Sequence, residues 1–215
     1  MIAAYVINLH ERKDKLKHII KEFENVTVVK PKLFPAIKHS NGSVGCLLSH
    51  QNIVSLAKQM KYDMVLVIED DCTLCQDFNT RWPNIYKWLK DNKNKWEVFN
   101  GGMTHVDHKS VSCINMQIPI ISAKGLRTQF IVYNANVYDK VIKLPSTQII
   151  DKFTRNNCRM YTSIPFLSTQ AAAKSDIKGY YRDNVAHFRN TELVIIRILK
   201  KQIIESLSEL YPPVL

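Results

Sequence analysis

Three consecutive acids, Glu69-Asp70-Asp71, follow directly on the apolar run Met64-Val-Leu-Val-Ile68. An uninterrupted run of that length predicts a strand buried on both faces, which puts the acids at its carboxyl end. In open α/β sheets that end is where ligands bind. Adjacent like charges raise one another's pKa, so three carboxylates crowded there need compensation. A hard divalent cation supplies it, because carboxylate oxygens are its preferred ligands. Asp71 is the expected direct ligand. Glu69 is placed for a ribose hydroxyl or a metal-bound water, and Asp70 for orienting a neighbour. Capping of the next helix is the plainer alternative, but three acids in a row exceed what one cap requires.

Two further stretches carry residues able to meet an anion. Asn8-Leu9-His-Glu-Arg12-Lys13-Asp-Lys15 joins an apolar opening run to a helical pattern. Cations at a helix N-terminus oppose the macrodipole, so Arg12 and Lys13 imply an anionic visitor or a partner acid. Arg12 suits a phosphate or the edge of a base. Asn8 suits base or ribose, with Leu9 beside it, and a solvated helix start balanced by Glu11 and Asp14 is the competing reading. In Gly42-Ser-Val-Gly-Cys-Leu-Leu-Ser-His50, Gly45 permits close backbone approach, while Ser49 and His50 offer hydrogen bonds. Cys46 and His50 share a helical face at i, i+4, yet two ligands do not make a zinc site. The lone Cys72-Thr-Leu-Cys75 carries no zinc or redox signature by itself. His105 and His108 read as loop surface.

The elements that must hold these residues follow from periodicity. Ile2–Leu9 predicts a buried strand. Leu16, Ile19, Ile20 and Phe23 form one helical stripe. A strand is expected around Val26 and Val28, with Pro31 and Pro35 interrupting regular structure. Ser43 is the expected N-cap of a helix reaching about Met60. Trp82–Leu89 predicts a helix, Lys95–Asn100 a strand, and residues 103–128 loop with short strands. Phe130–Tyr133 and Met160–Ile164 read as strands and Ala135–Lys143 as a helix. A basic amphipathic helix is expected over roughly Glu192–Leu210, with Ile196, Leu199 and Ile203 on one side. Strands alternating with helices predict βαβ crossovers and a mainly parallel, Rossmann-like α/β sheet flanked by helices. Residues 1–190 would form one domain, and 191–215 an appended amphipathic helix and tail.

Composition narrows the partners. The 215 residues are 46% hydrophobic, enough for a substantial core, and 30 Lys+Arg against 19 Asp+Glu give a net charge of +11. The positive balance favours anionic partners. No nucleic-acid motif appears and acids occupy the expected ligand end, so nucleic acid is not expected. Five cysteines without regular spacing, an opening strand in place of a leader-like segment and no long apolar run fit a cytoplasmic protein. The basic last helix adds peripheral contact with a membrane surface as a minor expectation.

Four stretches, in order, resemble glycosyltransferase family 25, which includes lipooligosaccharide and collagen galactosyltransferases. They are Val6-Ile-Asn-Leu-His-Glu-Arg-Lys-Asp14, Gly42–His50, Val67-Ile-Glu-Asp-Asp71, and Pro165-Phe-Leu-Ser-Thr-Gln170 leading to Ser175-Asp-Ile177. The resemblance implies a GT-A fold, a UDP-sugar donor, a divalent ion such as Mn2+ (or Mg2+), and inversion at the anomeric carbon. It implies a donor pocket lined by Asn8, Leu9, Arg12, Gly45, Glu69 and Asp70, with Asp71 on the metal and His187 as a later metal ligand. An inverting transfer needs a general base. Ile149-Ile-Asp151 occupies the place of the family's Pro-x-Asp-like element, making Asp151 the candidate base and Asp176 the fallback. The proline and the second acid of that element are missing here. A non-catalytic relative that binds a glycan or a protein is therefore the competing reading. The acceptor class is a glycan, a lipid-linked sugar or a protein.

Overall fold

The computed structural model describes residues 2–174, 181–182 and 184–210. Strand β1 (Ala3–Asn8) leads through α1 (Lys13–Phe23) to β2 (Lys32–Pro35), and α2 (Gly42–Gln59) returns the chain to β3 (Met64–Glu69). Next come β4 (Cys72–Leu74), α3 (Phe78–Asp91), β5 (Val98–Asn100), β6 (Thr104–Asn115), β7 (Ile120–Leu126) and β8 (Phe130–Asn134). A 3-10 turn (Ala135–Val137) enters α4 (Tyr138–Ile142), followed by α5 (Ile150–Asn157), β9 (Met160–Ser163) and β10 (Ser168–Gln170). The short pair β11 (Ala173–Lys174) and β12 (Tyr181–Arg182) precedes α6 (Val185–Leu210).

Eight strands form one sheet in the order β2-β1-β3-β8-β5-β9-β7-β6. β1 is parallel to β2 and β3, and β5 is parallel to β9. β8 runs against β3 and β5, and β7 against β9 and β6. Only β8 and β7 therefore oppose the common direction, and the sheet is mixed but mainly parallel. Side chains alternate across it, so each strand feeds two cores. Tyr5, Ile7, Val65, Val67, Ile131 and Tyr133 face α2, α4, α5 and α6. Ala4, Val6, Leu66, Ile68, Phe130 and Val132 face α1 and the aromatic side of α3, where Trp82 lies against Phe99 and Phe130. The result is three layers, helix on sheet on helix. β3 is covered on both faces, which explains its unbroken apolar run.

Several boundaries depart from the sequence reading. The second strand lies at Lys32–Pro35 rather than around Val26 and Val28; Val26 and Val29 are buried as core plugs instead. Pro35 is tolerated because β2 is an edge strand. The Ala36 amide reaches the Asn8 carbonyl at 2.9 Å, so the missing N–H at 35 falls on the open side. The cap of α2 is Asn41, whose side chain accepts from the Ser43 amide at 3.0 Å, and Ser43 lies inside the helix. Residues 104–126 form the long β6–β7 hairpin, not mostly loop. Its pairing shifts register repeatedly, which breaks the period-2 pattern that would have revealed it. α6 starts at Val185 and packs with Phe188 and Ile195, supported by Ile198 and Leu199, whereas Ile203 is exposed. No helix among the described residues is long and apolar enough to cross a membrane.

Candidate functional site

The parallel strands β1 and β3 end side by side, with Ile7 opposite Glu69, so their carboxyl ends share one rim. Asn8, last in β1, donates from Nδ2 to Asp70 Oδ2 at 2.7 Å. Lys15, in the first turn of α1, places Nζ 3.2 Å from Asp70 Oδ1 and 3.8 Å from Asp71 Oδ2. Asp70 is thus held by an amide and an ammonium, and Asn8 contributes through that acid. Burial pushes the Asp70 carboxyl up, with Lys15 and Asn8 opposing. Glu69 Oε1 accepts from Thr128 Oγ1 at 2.5 Å and lies 3.8 Å from His50 Nε2.

Asp71 differs from both neighbours. Its Oδ1 is enclosed and has no hydrogen-bond partner. Burial first, then the charges of Glu69 and Asp70, push its pKa up to about 7, with Lys15 and Arg127 pulling against them. A buried carboxylate oxygen without a donor is rare in folded proteins and asks for a ligand. The site therefore fits a divalent cation: an oxygen donor already facing inward, flanked by two more carboxylates.

A cleft of about 350 Å³ opens in front of these acids, within the range of small-molecule sites. Leu9, Arg12, Gly45, Glu69, Asp70 and Asp71, all expected from sequence, line it. Gly45 is required by packing: a Cβ there would stand 2.5 Å from the Ile37 carbonyl oxygen, so the loop before α2 closes onto the helix only at glycine. Ser49 clamps the same contact, donating to the Gly45 carbonyl at 2.7 Å and accepting from the Ile37 amide at 2.8 Å.

The cleft also gathers residues that sequence reasoning did not single out. Lys15, Lys38, Arg127, Gln170 and Asn184 line it, adding three cations to Arg12. Lys38 pairs with Glu11 across the rim, and Arg12 pairs with Asp14 at 2.8 Å. Arg127 Nη2 donates to Asn184 Oδ1 at 3.2 Å, and its Nε to Thr104 Oγ1 at 3.2 Å. Its φ of 96° lies in the left-handed region, a strained conformation for a side chain that large. Lys15 stood in a stretch already under suspicion. Nothing local marked Arg127 or Asn184.

Asp151 and His187, like Asn8, stand apart from the cleft lining. Asp151, in the first turn of α5, is half-buried; burial and then the charge of Glu69 push its carboxyl up, while the Arg127 amide N–H pulls it back. It sits behind Arg127 rather than in the wall. His187 is exposed on α6, its ring stacked on His105 with centroids 6.4 Å apart. Asp176 lies outside the described residues.

Comparisons with known proteins bear on this arrangement. No curated protein sequence matches the chain. Among solved structures, A197 from STIV is similar in fold, with a TM-score of 0.51 at 10% identity over 84% of this chain and 93% of that one. HddC from Yersinia pseudotuberculosis aligns over 75% of this chain and 72% of its own at 9% identity, with a TM-score of 0.37. Residues 36–151, more than half the chain, match the model of glycosyltransferase family 25 (LPS biosynthesis protein). That span includes Gly45, the three acids closing β3 and Asp151. The chain belongs to glycosyltransferase family 25, a family of sugar-transferring enzymes.

Proposed function

We propose that the protein transfers a hexose, galactose or glucose, from a UDP-sugar to an acceptor hydroxyl with inversion, using Mn2+ or Mg2+ held at Asp71. The observation that carries this reading is the enclosed, unpartnered Asp71 Oδ1 at the floor of a cleft ringed by Arg12, Lys15, Lys38 and Arg127. An acidic floor under basic walls suits an ion and a diphosphate together better than either alone. When bound, the ion supplies neutralisation of the charge that builds on the departing nucleotide. His187 is the proposed further ligand.

The chain's own residues do the rest. Lys15 holds Asp70 and faces Asp71, keeping two acids apart in charge before anything binds. Arg12 and Arg127 offer planar donor forks to phosphate oxygens. Glu69, tethered by Thr128, offers its remaining oxygen to a ribose hydroxyl. Asp151 takes the acceptor proton, and its raised pKa makes it the stronger base. Acceptors in this reading are glycan, lipid-linked or protein hydroxyls on the cytoplasmic side, with α6 free to touch a membrane surface. Asp151's place behind Arg127 favours a second reading, a non-catalytic glycan-binding relative.

Hydrolysis of UDP-sugars with and without Mn2+ separates the two. Turnover that requires the ion, together with a UDP-dependent rise in melting temperature that Mn2+ enlarges, is the expected result. Asp151→Asn should keep the thermal shift and lose transfer. Neither turnover nor any shift with nucleotide plus ion removes the enzymatic reading.

A further inference from the structure

Behind the cleft wall, three side chains from two elements converge. Cys46 and His50 project from one face of α2, and Glu69 ends β3. Cys46 Sγ, a His50 ring nitrogen and a Glu69 carboxylate oxygen all lie within 4.8 Å of one another. We propose that they form a second metal site, distinct in chemistry from the carboxylate floor at Asp71, which takes a borderline-soft divalent ion of the zinc type.

His50 is the independent observation. Its side chain is 0% exposed, and Nε2 has no hydrogen-bond partner. The carboxylate oxygen facing it, Glu69 Oε1, is 3.8 Å away, too far for a hydrogen bond. Its neighbour Ser49, one residue earlier on the same helix, is satisfied twice over. The imidazole is not loosely placed either: Nδ1 meets Tyr133 OH at 2.9 Å, and the two rings lie edge to face. When Nδ1–H donates to that hydroxyl, the lone pair stands on Nε2, aimed at Cys46 and Glu69. This is the outer-shell support that metal-bound histidines use. Thr128 gives Glu69 the equivalent support.

The donor set decides the kind of ion. Thiolate, imidazole and one carboxylate select zinc-like ions over Mg2+ or Ca2+. Ligand atoms around tetrahedral zinc stand about 3.5 Å apart, so the set must contract by roughly 1 Å. His50 and Glu69 are already close to that separation. Cys46 and Glu69 also line the cleft, so the remaining coordination position opens toward it. In the free protein burial and the carboxylates of Glu69, Asp151, Asp71 and Asp70 hold the Cys46 thiol protonated. An entering cation takes up that negative field and displaces the thiol proton.

Cobalt is the probe. Chelator-treated full-length protein titrated with Co2+ should develop a near-ultraviolet thiolate-to-cobalt charge-transfer band that saturates at one equivalent. The band should vanish in Cys46→Ser and collapse in His50→Gln, and persist in Asp71→Asn and in Cys113→Ser, which removes the exposed thiol. Melting curves in chelator keep the test valid. If His50→Gln proves unfolded, Cys46→Ser decides alone, a change of one atom that leaves the helix intact. Zn2+ should raise the melting temperature of the wild type and not of Cys46→Ser. No charge-transfer band in the wild type, or one that survives in Cys46→Ser, overturns the proposal. The sugar-transfer reading stands or falls separately, on Asp71.

Discussion

Glu97 and Asp71 are two enclosed acids at opposite ends of the same sheet, one just ahead of β5 and the other just beyond β3. Glu97 is fully engaged: Oε1 accepts from Lys140 Nζ at 2.6 Å, and Oε2 from the Arg159 amide at 2.8 Å. Burial alone would raise its pKa, but these two bonds outweigh burial and hold it below the usual carboxylate range. Asp71 has burial without the bonds. Among the described residues its ion-pair partner, Lys15, stands 3.8 Å away, two further acids crowd it, and its pKa rises to about 7. Such a group destabilises the fold unless a cation settles on it. One end of the sheet uses its acid to hold strands together, and the other leaves one carboxylate oxygen, Asp71 Oδ1, without a donor.

The largest effect expected from this contrast is on activity. Asp71→Asn should lower sugar transfer on the order of a hundredfold or more, the scale seen when a group acting on developing charge is removed. Its melting temperature at pH 8 should hold or rise, because the substitution removes an unpartnered charge. Loss of stability without loss of turnover would place Asp71 among the structural acids and erase the contrast.

The acid floor was legible in sequence because its two signals are local: an unbroken apolar run and the charges that end it. Asn8, Arg12 and Gly45 were legible for similar reasons, although Gly45 turned out to serve the approach of the Ile37 carbonyl to α2. The cation ring was only half visible. Arg127 reaches the cleft from the turn between β7 and β8, and Asn184 meets it across 57 positions of chain. Such pairings follow from the three-dimensional path, not from spacing. Glu97 was invisible in the same way, since Lys140 and Arg159 lie 43 and 62 positions along. The third member of the Cys46–His50 pair was missed because Glu69 belongs to a different element. The β6–β7 hairpin was hidden by its register shifts and by the polar, half-exposed run of β6.

A smaller effect sharpens the structural side of the contrast. Glu97→Gln leaves the Arg159 amide and the Lys140 ammonium with a weaker acceptor. The expected cost is about 1–2 kcal/mol, discounted because Lys140 is half exposed. For a chain of this size that is a fall of roughly 3–6 °C in melting temperature. Turnover per folded molecule should not change. An activity loss as large as that of Asp71→Asn would mean that the two ends of the sheet are coupled.

The smallest effect is one of sign, read from stability against pH in chelator. A carboxyl whose folded pKa is raised holds its proton in the native state over a window where the unfolded chain has released it. For Asp71 that window runs from about 4, the ordinary value, up to about 7. Within it the native state binds more protons, so stability falls as pH rises, and above it the full penalty remains. Asp71→Asn removes that penalty, so this variant should gain on the wild type from pH 4 to 7 and keep the gain beyond. Glu97 works the other way. Its depressed pKa contributes stability that is complete above the ordinary value and is lost as pH falls through the folded one. The deficit of Glu97→Gln should therefore be constant at neutral pH and close in acid. Glu69, Asp70, Lys15 and Arg127 share the field around Asp71, which broadens its transition without reversing it. Difference curves of the same sign for both variants would show that the acid beyond β3 is as well satisfied as the one before β5, and the case for a cation there would be gone.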